Sequence, residues 1–337
     1  MKVIHFGNTA NVPYLLCHGL RELGITAFLV AGHSKMPFIY DRYNNPYSID
    51  FFTLESSLDY LRLLSVALQS DILHFHSNTS FKQFILRMAS RVRLVRHFHG
   101  SDLRTLSARK KAILCATSHA VGERVLVSTF DLLKYWDGAR YIPNPVDPIF
   151  FEVTSTEKDY SIFLPTRLEN KTKNVEFAFK AWDILRTMDP EVVLKVIYWG
   201  EDAYNYLSRY VHDKRIMWLR VMSHKKIALE MKRSVLIWGQ FKFGVVGLVE
   251  LEAMASGKAV LTKFNPSETI QYNTQYNPPL VTVKTPEELA KKTLDLLSDK
   301  VARTKLGEEA RKWAERIHST KNVAQKLIEI YRELIKQ

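Results

Sequence analysis

Three segments of this chain combine residue types at spacings that suit an anionic ligand. In the first, Gly244 and Gly247 precede Leu248, Glu250 and Glu252. The glycines let backbone come close to a ligand. A helix opening near Leu248 aims free N–H groups and the positive end of its dipole at the same place. Glu252, one turn into that helix, is placed to accept two hydroxyl hydrogen bonds, as from a ribose diol. A plain strand–turn–helix with an acidic first turn would use the same residues. In the second segment Arg167 and Lys173 flank a short polar loop between a strand and a helix. Two cations there can converge on one diphosphate and neutralise a departing pyrophosphate without a metal. A solvated basic loop is the simpler alternative. In the third, a strand ends at His99, and Gly100 opens a loop carrying Asp102 and Arg104. His74 and His76, two residues apart, share one face of another strand. A metal there would need a third ligand and usually a carboxylate, and His74, His76, His97 and His99 could supply nitrogens. Strand-end histidines more often make ordinary hydrogen bonds. The reading is therefore no metal, with His99 and Gly100 as the functional pair.

The elements that must position these residues alternate. Residues 2–6 read as a strand, 7–11 as a turn of small polar residues including Asn8, 12–23 as a helix ended by Gly24, and 25–30 as a strand. Such an opening implies a parallel sheet covered by helices. The rhythm continues with strands at 71–75, 93–98, 112–117 and 141–142 and helices at 81–90 and 120–127. Pro145, Pro148 and the polar run 154–159 break it. Beyond the break, strands at 161–165, 192–199, 216–219, 235–238 and 259–262 alternate with helices at 175–189, 203–211, 224–232 and 248–255. Helices at 286–297, 304–317 and 322–336 close the chain. The expected division is 1–150, 151–318, and a segment 319–337 whose helix packs back on the first domain. The expected fold class is α/β, two Rossmann-like domains facing each other across a cleft, with ligands at the carboxyl ends of the strands.

With 337 residues, 46% hydrophobic and 25% charged, the composition is that of an ordinary globular chain of about two domains, not a disordered one. No apolar run approaches the ~18 residues of a membrane span, and the first residues read as a buried strand, not a secretion leader. Cys17 and Cys115 make neither a disulfide framework nor a zinc site and fit a reducing cytoplasm. The formal charge of +13 asks for anionic partners. Nine basic residues fall between Lys82 and Lys111, opposed by Asp102 alone.

Nearly end to end, the chain resembles the family 4 glycosyltransferases, which have the GT-B fold of two Rossmann-like domains and use nucleotide-sugar donors with retention of configuration. Residues 252–260, Glu-Ala-Met-Ala-Ser-Gly-Lys-Ala-Val, are close to the family's Glu-Ala-Met-Ala-x-Gly-x-Pro-Val. Residues 71–76 resemble its Asp-x-x-His-x-His strand and 99–102 its His-Gly-Ser-Asp. Residues 142–147 resemble its Ile-Pro-Asn-Gly-Val-Asp hinge, with Pro145 for the glycine. Arg167-Leu168 through Lys173-Asn174 resemble its Arg-Leu…Lys-Gly/Asn motif with one extra residue before the lysine. The opening 2–30, with its small polar loop around Asn8, is similar to the family's acceptor-side opening.

The resemblance implies roles. His99 would face the donor sugar and its phosphate. Arg167 and Lys173 would bind the diphosphate and stabilise the departing nucleotide, which makes these three the catalytic set. Gly247, Leu248 and Val249 would offer backbone N–H groups, Glu252 would hold the ribose hydroxyls, and Asn8 and Gly100 complete the donor-binding set. The implied reaction is metal-independent, cofactor-free, retaining transfer from a nucleoside diphosphate sugar to a hydroxyl of a glycan or lipid-linked acceptor. The leaving phosphate would help deprotonate that hydroxyl. One departure stands out. The family carries two glutamates separated by seven residues, and eight positions before Glu252 stands Gly244. Glu250 is too close to replace it. The missing carboxylate contacts the donor sugar in the family, so donor identity stays open. A weak or inactive nucleotide-sugar binder on the same fold is the alternative.

The stretch 82–111 admits two uses. Residues 81–88 read as a sheet-covering helix with a charged outer face, or as a surface that sits on anionic lipid beside a lipid-linked acceptor, which would make the protein peripheral to a membrane. A protein whose anion-binding surface is its function is a third reading. Nucleic acid is not expected, because no recognition module and no aromatic stacking platform is visible.

Overall fold

The computed structural model describes residues 1–52, 56–77, 92–155 and 159–337. Its contacts divide the chain into two compact units, Met1–Pro145 with His318–Gln337, and Val146–Ile317. The first unit holds a parallel sheet built from β1 (Lys2–Phe6), β2 (Thr26–Val30), β3 (Asp50–Phe52), β4 (Ile72–His76), β5 (Arg93–Phe98), β6 (Arg124–Val127) and β7 (Arg140–Tyr141), in the order β3-β2-β1-β4-β5-β6-β7. The second holds β8 (Ser161–Leu164), β9 (Val193–Ile197), β10 (Ile216–Leu219), β11 (Leu236–Trp238), β12 (Val260–Thr262) and β13 (Val281–Thr282), in the order β10-β9-β8-β11-β12-β13. The strand order reverses between β1 and β4 in one sheet and between β8 and β11 in the other. At such points the loops from two neighbouring strands diverge and open a crevice at the carboxyl ends.

Side-chain alternation sorts the first sheet into two chemically different faces. Ile4, Phe6, Leu73, Phe75 and Leu94 pack with Leu63 and Ala67 of helix Ser57–Leu68 on one face. His5, His74, His76 and His97 lie on the other. The register sets His5 beside His74 and His76 beside His97. Over that face runs the C-terminal helix Thr320–Lys336, which buries Val323, Ala324, Leu327 and Tyr331. It meets helix Val12–Glu22 at Gly19, where a Cβ would stand 2.6 Å from the Thr320 carbonyl oxygen and 2.9 Å from the Ala324 methyl. Only glycine permits that approach. In the second unit Ile162, Leu164, Phe179, Trp182, Trp238 and Leu261 form the core around the sheet.

The structure corrects two expected elements. Residues 112–117 are not a strand and 120–127 are not a helix. Helix Ala108–Ala120 occupies the first, with Ser107 Oγ accepting from the Lys110 N–H at its start, and β6 occupies the second half of the second. A short apolar run reads the same in either conformation, and the place beside β5 is filled by Arg124–Val127. Strand β3 and helix Ser57–Leu68, with its Ser56–Asp59 capping box, had no counterpart among the expected elements. The expected helix 81–90, with Lys82, Arg87 and Arg91, lies outside the described residues. Among the described residues no helix is long and apolar enough to cross a membrane.

Candidate active site

Most of the expected donor residues stand on two loops that leave the carboxyl ends of the neighbouring strands β8 and β11. Arg167 follows β8. Its guanidinium, 41% exposed, pairs with Glu169 at 2.5 Å and lies 5.8 Å from the Trp199 ring centroid. Glu169 also accepts from Thr172 Oγ1. Asn170–Lys173 form one helical turn, closed by Asn174 in the left-handed conformation at φ 53°. Glycine and asparagine tolerate that conformation best. The turn thus ends at the Lys173-Asn174 pair. The Phe241 N–H donates to the Lys173 carbonyl at 3.0 Å, and Asn174 Nδ2 to the Phe241 carbonyl at 3.4 Å. The loop after β8 and the loop after β11 are therefore bonded to one another.

The second loop is shaped from inside. Gln240 is buried; its Oε1 accepts from the N–H groups of Lys242 (2.9 Å) and Phe243 (3.1 Å), and its Nε2 donates to the Val245 carbonyl (2.9 Å). Glu250, 1% exposed, accepts from the Gln240 N–H (2.6 Å), the Gly247 N–H (2.9 Å) and Thr262 Oγ1 (3.1 Å). It bolts the start of helix Leu248–Ala255 to β11 and β12. Gly239 makes room for it, since a Cβ there would meet Glu250 Oε1 at 2.3 Å. Gly247, Leu248 and Val249 form the helix N-terminus on this frame. Gly244 has φ 44°, and a Cβ on it would stand 3.0 Å from the Asn265 Cβ. Any side chain at this position would be strained, in the left-handed region and against Asn265.

Glu252 is half-buried on the same helix. Burial pushes its carboxyl up to about 7, against the opposing pull of His224. Burial draws His224 down, but its Nδ1 bond to Asp147 Oδ2 at 3.0 Å and the charges of Glu252 and Asp147 outweigh that and hold it above its usual value. The fully buried Asp147 thus holds an imidazole whose charge acts on Glu252.

Residues 146–313 match the family of glycosyl transferases group 1. The matched region contains both loops, Glu252 and its partners. No curated protein sequence matches the chain. Among solved structures, the chain is similar to Anabaena HepE in complex with UDP-glucose (15% identity, TM-score 0.75, covering 99% of this chain and 100% of that one). It is also similar to a glycosyltransferase from Rickettsia africae (16%, TM-score 0.72, covering 100% and 99%) and to sucrose-phosphate synthase from Thermosynechococcus elongatus (14%, TM-score 0.67, covering 100% of both). These likenesses establish the fold, two parallel-sheet α/β units of the glycosyltransferase GT-B type.

In the first unit of this glycosyltransferase-like chain, Asn8 lies in the loop after β1. Its side chain is spent on structure: Nδ2 donates to the Tyr40 carbonyl at 2.8 Å and Oδ1 accepts from the Tyr14 N–H at 3.3 Å. Gly100 (φ 149°) starts helix Ser101–Arg104, and a Cβ on it would meet Arg104 Nη1 at 2.6 Å. Asp102 gathers the corner, accepting from the N–H groups of His99 (3.0 Å) and Gly100 (2.7 Å) and from Ser77 Oγ (2.8 Å). His99, half-buried, has both ring nitrogens engaged, Nε2 with His76 and Nδ1 with Ser128. Two histidine triplets, His5–His74–His76 and His76–His97–His99, each bring one nitrogen per ring within 4.8 Å of the others, which makes them candidate ligand sets. Most of these nitrogens are already bonded to one another or to hydroxyls, so a metal would have to displace those bonds. Two cations of the basic stretch also turn inward: Arg96 pairs with Glu123 at 2.7 Å and Arg104 with Asp131 at 2.6 Å, all four buried or nearly so.

The residues that spacing alone missed are Gln240, His224, Ser128 and the bolting role of Glu250. Only Glu250 left a signal, as an acid three residues after Gly247 at a helix start. His224 arrives from a helix 77 residues past Asp147.

Proposed function

We propose that this protein is a retaining glycosyltransferase that moves a sugar from a nucleoside diphosphate sugar to an acceptor hydroxyl. The observation that carries the reading is the bonded pair of loops at the β8/β11 switch point, within the region that matches the glycosyl transferases group 1. Together they set Arg167, Lys173 and the N-terminus of helix Leu248–Ala255 on one frame. In this reading the N–H groups of Gly247, Leu248 and Val249 take phosphate or sugar oxygens, and Glu252 holds the ribose hydroxyls. Arg167 and Lys173 stabilise the charge that grows on the departing diphosphate, the role a metal would otherwise fill. The acceptor attacks from the face the nucleotide leaves, and the leaving phosphate takes its proton. His99 and Gly100 are the residues of the first unit assigned to the donor sugar.

HepE was crystallised with UDP-glucose, which makes UDP-sugars the first donors to try. The test is release of nucleoside diphosphate and transfer of sugar with a panel of nucleotide sugars. Anomeric configuration is read by NMR, with and without a chelator. Turnover with retention that survives chelation supports the proposal, and absence of turnover with every donor removes it. A second reading is a nucleotide-sugar binder without activity. Gly244 favours it, because this chain lacks the carboxylate that the family carries at this position. Retained nucleotide binding with no turnover would select it.

For the acceptor we propose a glycan or a lipid-linked hydroxyl. The exposed Arg109, Lys110 and Ile113 of helix Ala108–Ala120 support a weak contact with anionic lipid; co-sedimentation with anionic but not neutral vesicles checks it. The unpaired Cys17 and Cys115 support a cytoplasmic setting.

A further inference from the structure

The histidines on one face of the first sheet are linked in a single line. His76 Nε2 lies 2.9 Å from His5 Nδ1, and His76 Nδ1 lies 2.8 Å from His99 Nε2. The ring centroids are 5.2 and 5.0 Å apart with planes inclined by 21° and 12°, so the three rings run edge to edge, nitrogen to nitrogen. Beyond His99, its Nδ1 meets Ser128 Oγ at 2.9 Å, and that hydroxyl meets His97 Nε2 at 2.9 Å. Beyond His5, its Nε2 meets the Tyr331 hydroxyl at 3.5 Å, and that hydroxyl meets His74 Nδ1 at 2.6 Å. The two ends of the line are His74 Nε2 and His97 Nδ1, both buried and both without a hydrogen-bond partner among the described residues.

Proton counting then restricts the chain. A neutral imidazole carries one N–H and one lone pair, and each hydroxyl has one proton to donate. Five imidazoles and two hydroxyls bring seven protons to six links, each of which takes one. The seventh proton must sit at an end. If it sits on His74, all five rings carry their proton on Nε2. If it sits on His97, all five carry it on Nδ1. Any mixture leaves at least one link with two protons or with none.

We propose that His5, His74, His76 and His97 are positioning residues for His99: with Tyr331 and Ser128 they commit both of its ring nitrogens and hold all five imidazoles in one shared tautomer. What this means for catalysis rests on the assignment of His99 to the donor sugar; the chain itself does not. Burial keeps the rings neutral, with His5 drawn down to about 3 and His74, His76 and His97 well below their usual value. Around His99 stand His76 and His97 from the two strands, Ser128 after β6, Asp102 on helix Ser101–Arg104, and Asn144. Burial lowers His99, and the Asp102 charge and Asn144 oppose it without prevailing. His99 therefore presents a fixed, uncharged ring that is neither a base nor a phosphate-binding cation, and leaving-group charge falls to Arg167 and Lys173.

The experiment uses the full-length protein with ¹⁵N-labelled histidine, free of substrate. Long-range ¹H–¹⁵N spectra between pH 5.5 and 8 identify the tautomer of each ring. Five rings in the same tautomer, none of them titrating, is the expected result. Ser128→Ala and His76→Phe each cut the line next to His99, and the ¹⁵N signal of the His99 ring nitrogen that loses its partner should then shift. Ser128→Ala is the smaller change and serves alone if His76→Phe does not fold. Mixed tautomers in the unaltered protein, titration of any of the five, or a His99 ring whose ¹⁵N signals do not move when the line is cut overturns the proposal. So does a stoichiometric shift of these signals by added zinc, which would make the nitrogens ligands. Sugar transfer is measured separately. Uniform tautomers without transfer sink only the enzymatic reading, and transfer with mixed tautomers sinks only this one.

Discussion

Arg167 is held before any ligand arrives, its guanidinium facing Glu169 and the Trp199 ring. A diphosphate reaching it would draw one pre-placed cation away from a carboxylate. Lys173 is fixed through its own carbonyl by the Phe241 N–H. Hydrogen bonds to charged groups contribute about 1.5–3 kcal/mol. Arg167→Ala and Lys173→Ala are each expected to lower turnover by roughly 10- to 100-fold, by the same principle. They should weaken a nucleoside diphosphate more than the free nucleoside, as steady-state rates and calorimetric titration would show. Unchanged kinetics in both variants would refute the leaving-group role. Glu252 gives a pH signature. Its carboxyl stands at about 7, above the ordinary glutamate value, so the free protein is favoured at low pH and loses that stability as pH rises through 7. A nucleoside that needs the carboxylate gains over the same window. Nucleoside affinity should be roughly tenfold weaker at pH 6 than at pH 8, and Glu252→Gln should flatten the dependence.

At the scale of elements, the start of helix Leu248–Ala255 is set by a buried carboxylate, not by its own cap residue. Glu250→Ala would strand the buried Gln240 N–H and the Gly247 N–H, while the Thr262 hydroxyl would keep its bond to the Gln240 carbonyl. Urea unfolding should show a loss of about 3–5 kcal/mol. Gly244→Ala has to carry a side chain at φ 44° against Asn265, and about 1–2 kcal/mol is expected from that strain, read in the same way. Helix Leu248–Ala255 was readable from its residues, bounds included, because glycine before it and a helical apolar pattern agree. Helix Ala108–Ala120 was not. Its short apolar run is nearly all exposed, so no burial pattern marks its period, and the neighbouring strand is what settles the assignment.

At the scale of the molecule, the chain returns to its first unit at the very end. Helix Thr320–Lys336 brings Tyr331 to His74 and His5 and rests in the notch left by Gly19. Removing residues 319–337 should destabilise Met1–Pro145 while Val146–Ile317 keeps its own folding transition. Limited proteolysis with scanning calorimetry would show protection lost in the first segment only. A uniform loss across both would mean the two units do not unfold separately.

Alternating apolar runs, the prolines after Ile142 and the motif at 252–260 were enough to show two α/β units and the loop–helix that carries the candidate donor site. These are local signals: hydrophobic period, turn chemistry and helix starts act over a few residues. The line of histidines, the bolt made by Glu250 and the Asp147–His224 pair beside Glu252 were decided by tertiary structure alone. His74 and Tyr331 are 257 positions apart and His5 and His76 are 71 apart. Parallel strands are joined by crossovers of a dozen residues or more with no fixed length, so distance along the chain says nothing about register, and register is what puts one ring nitrogen against the next.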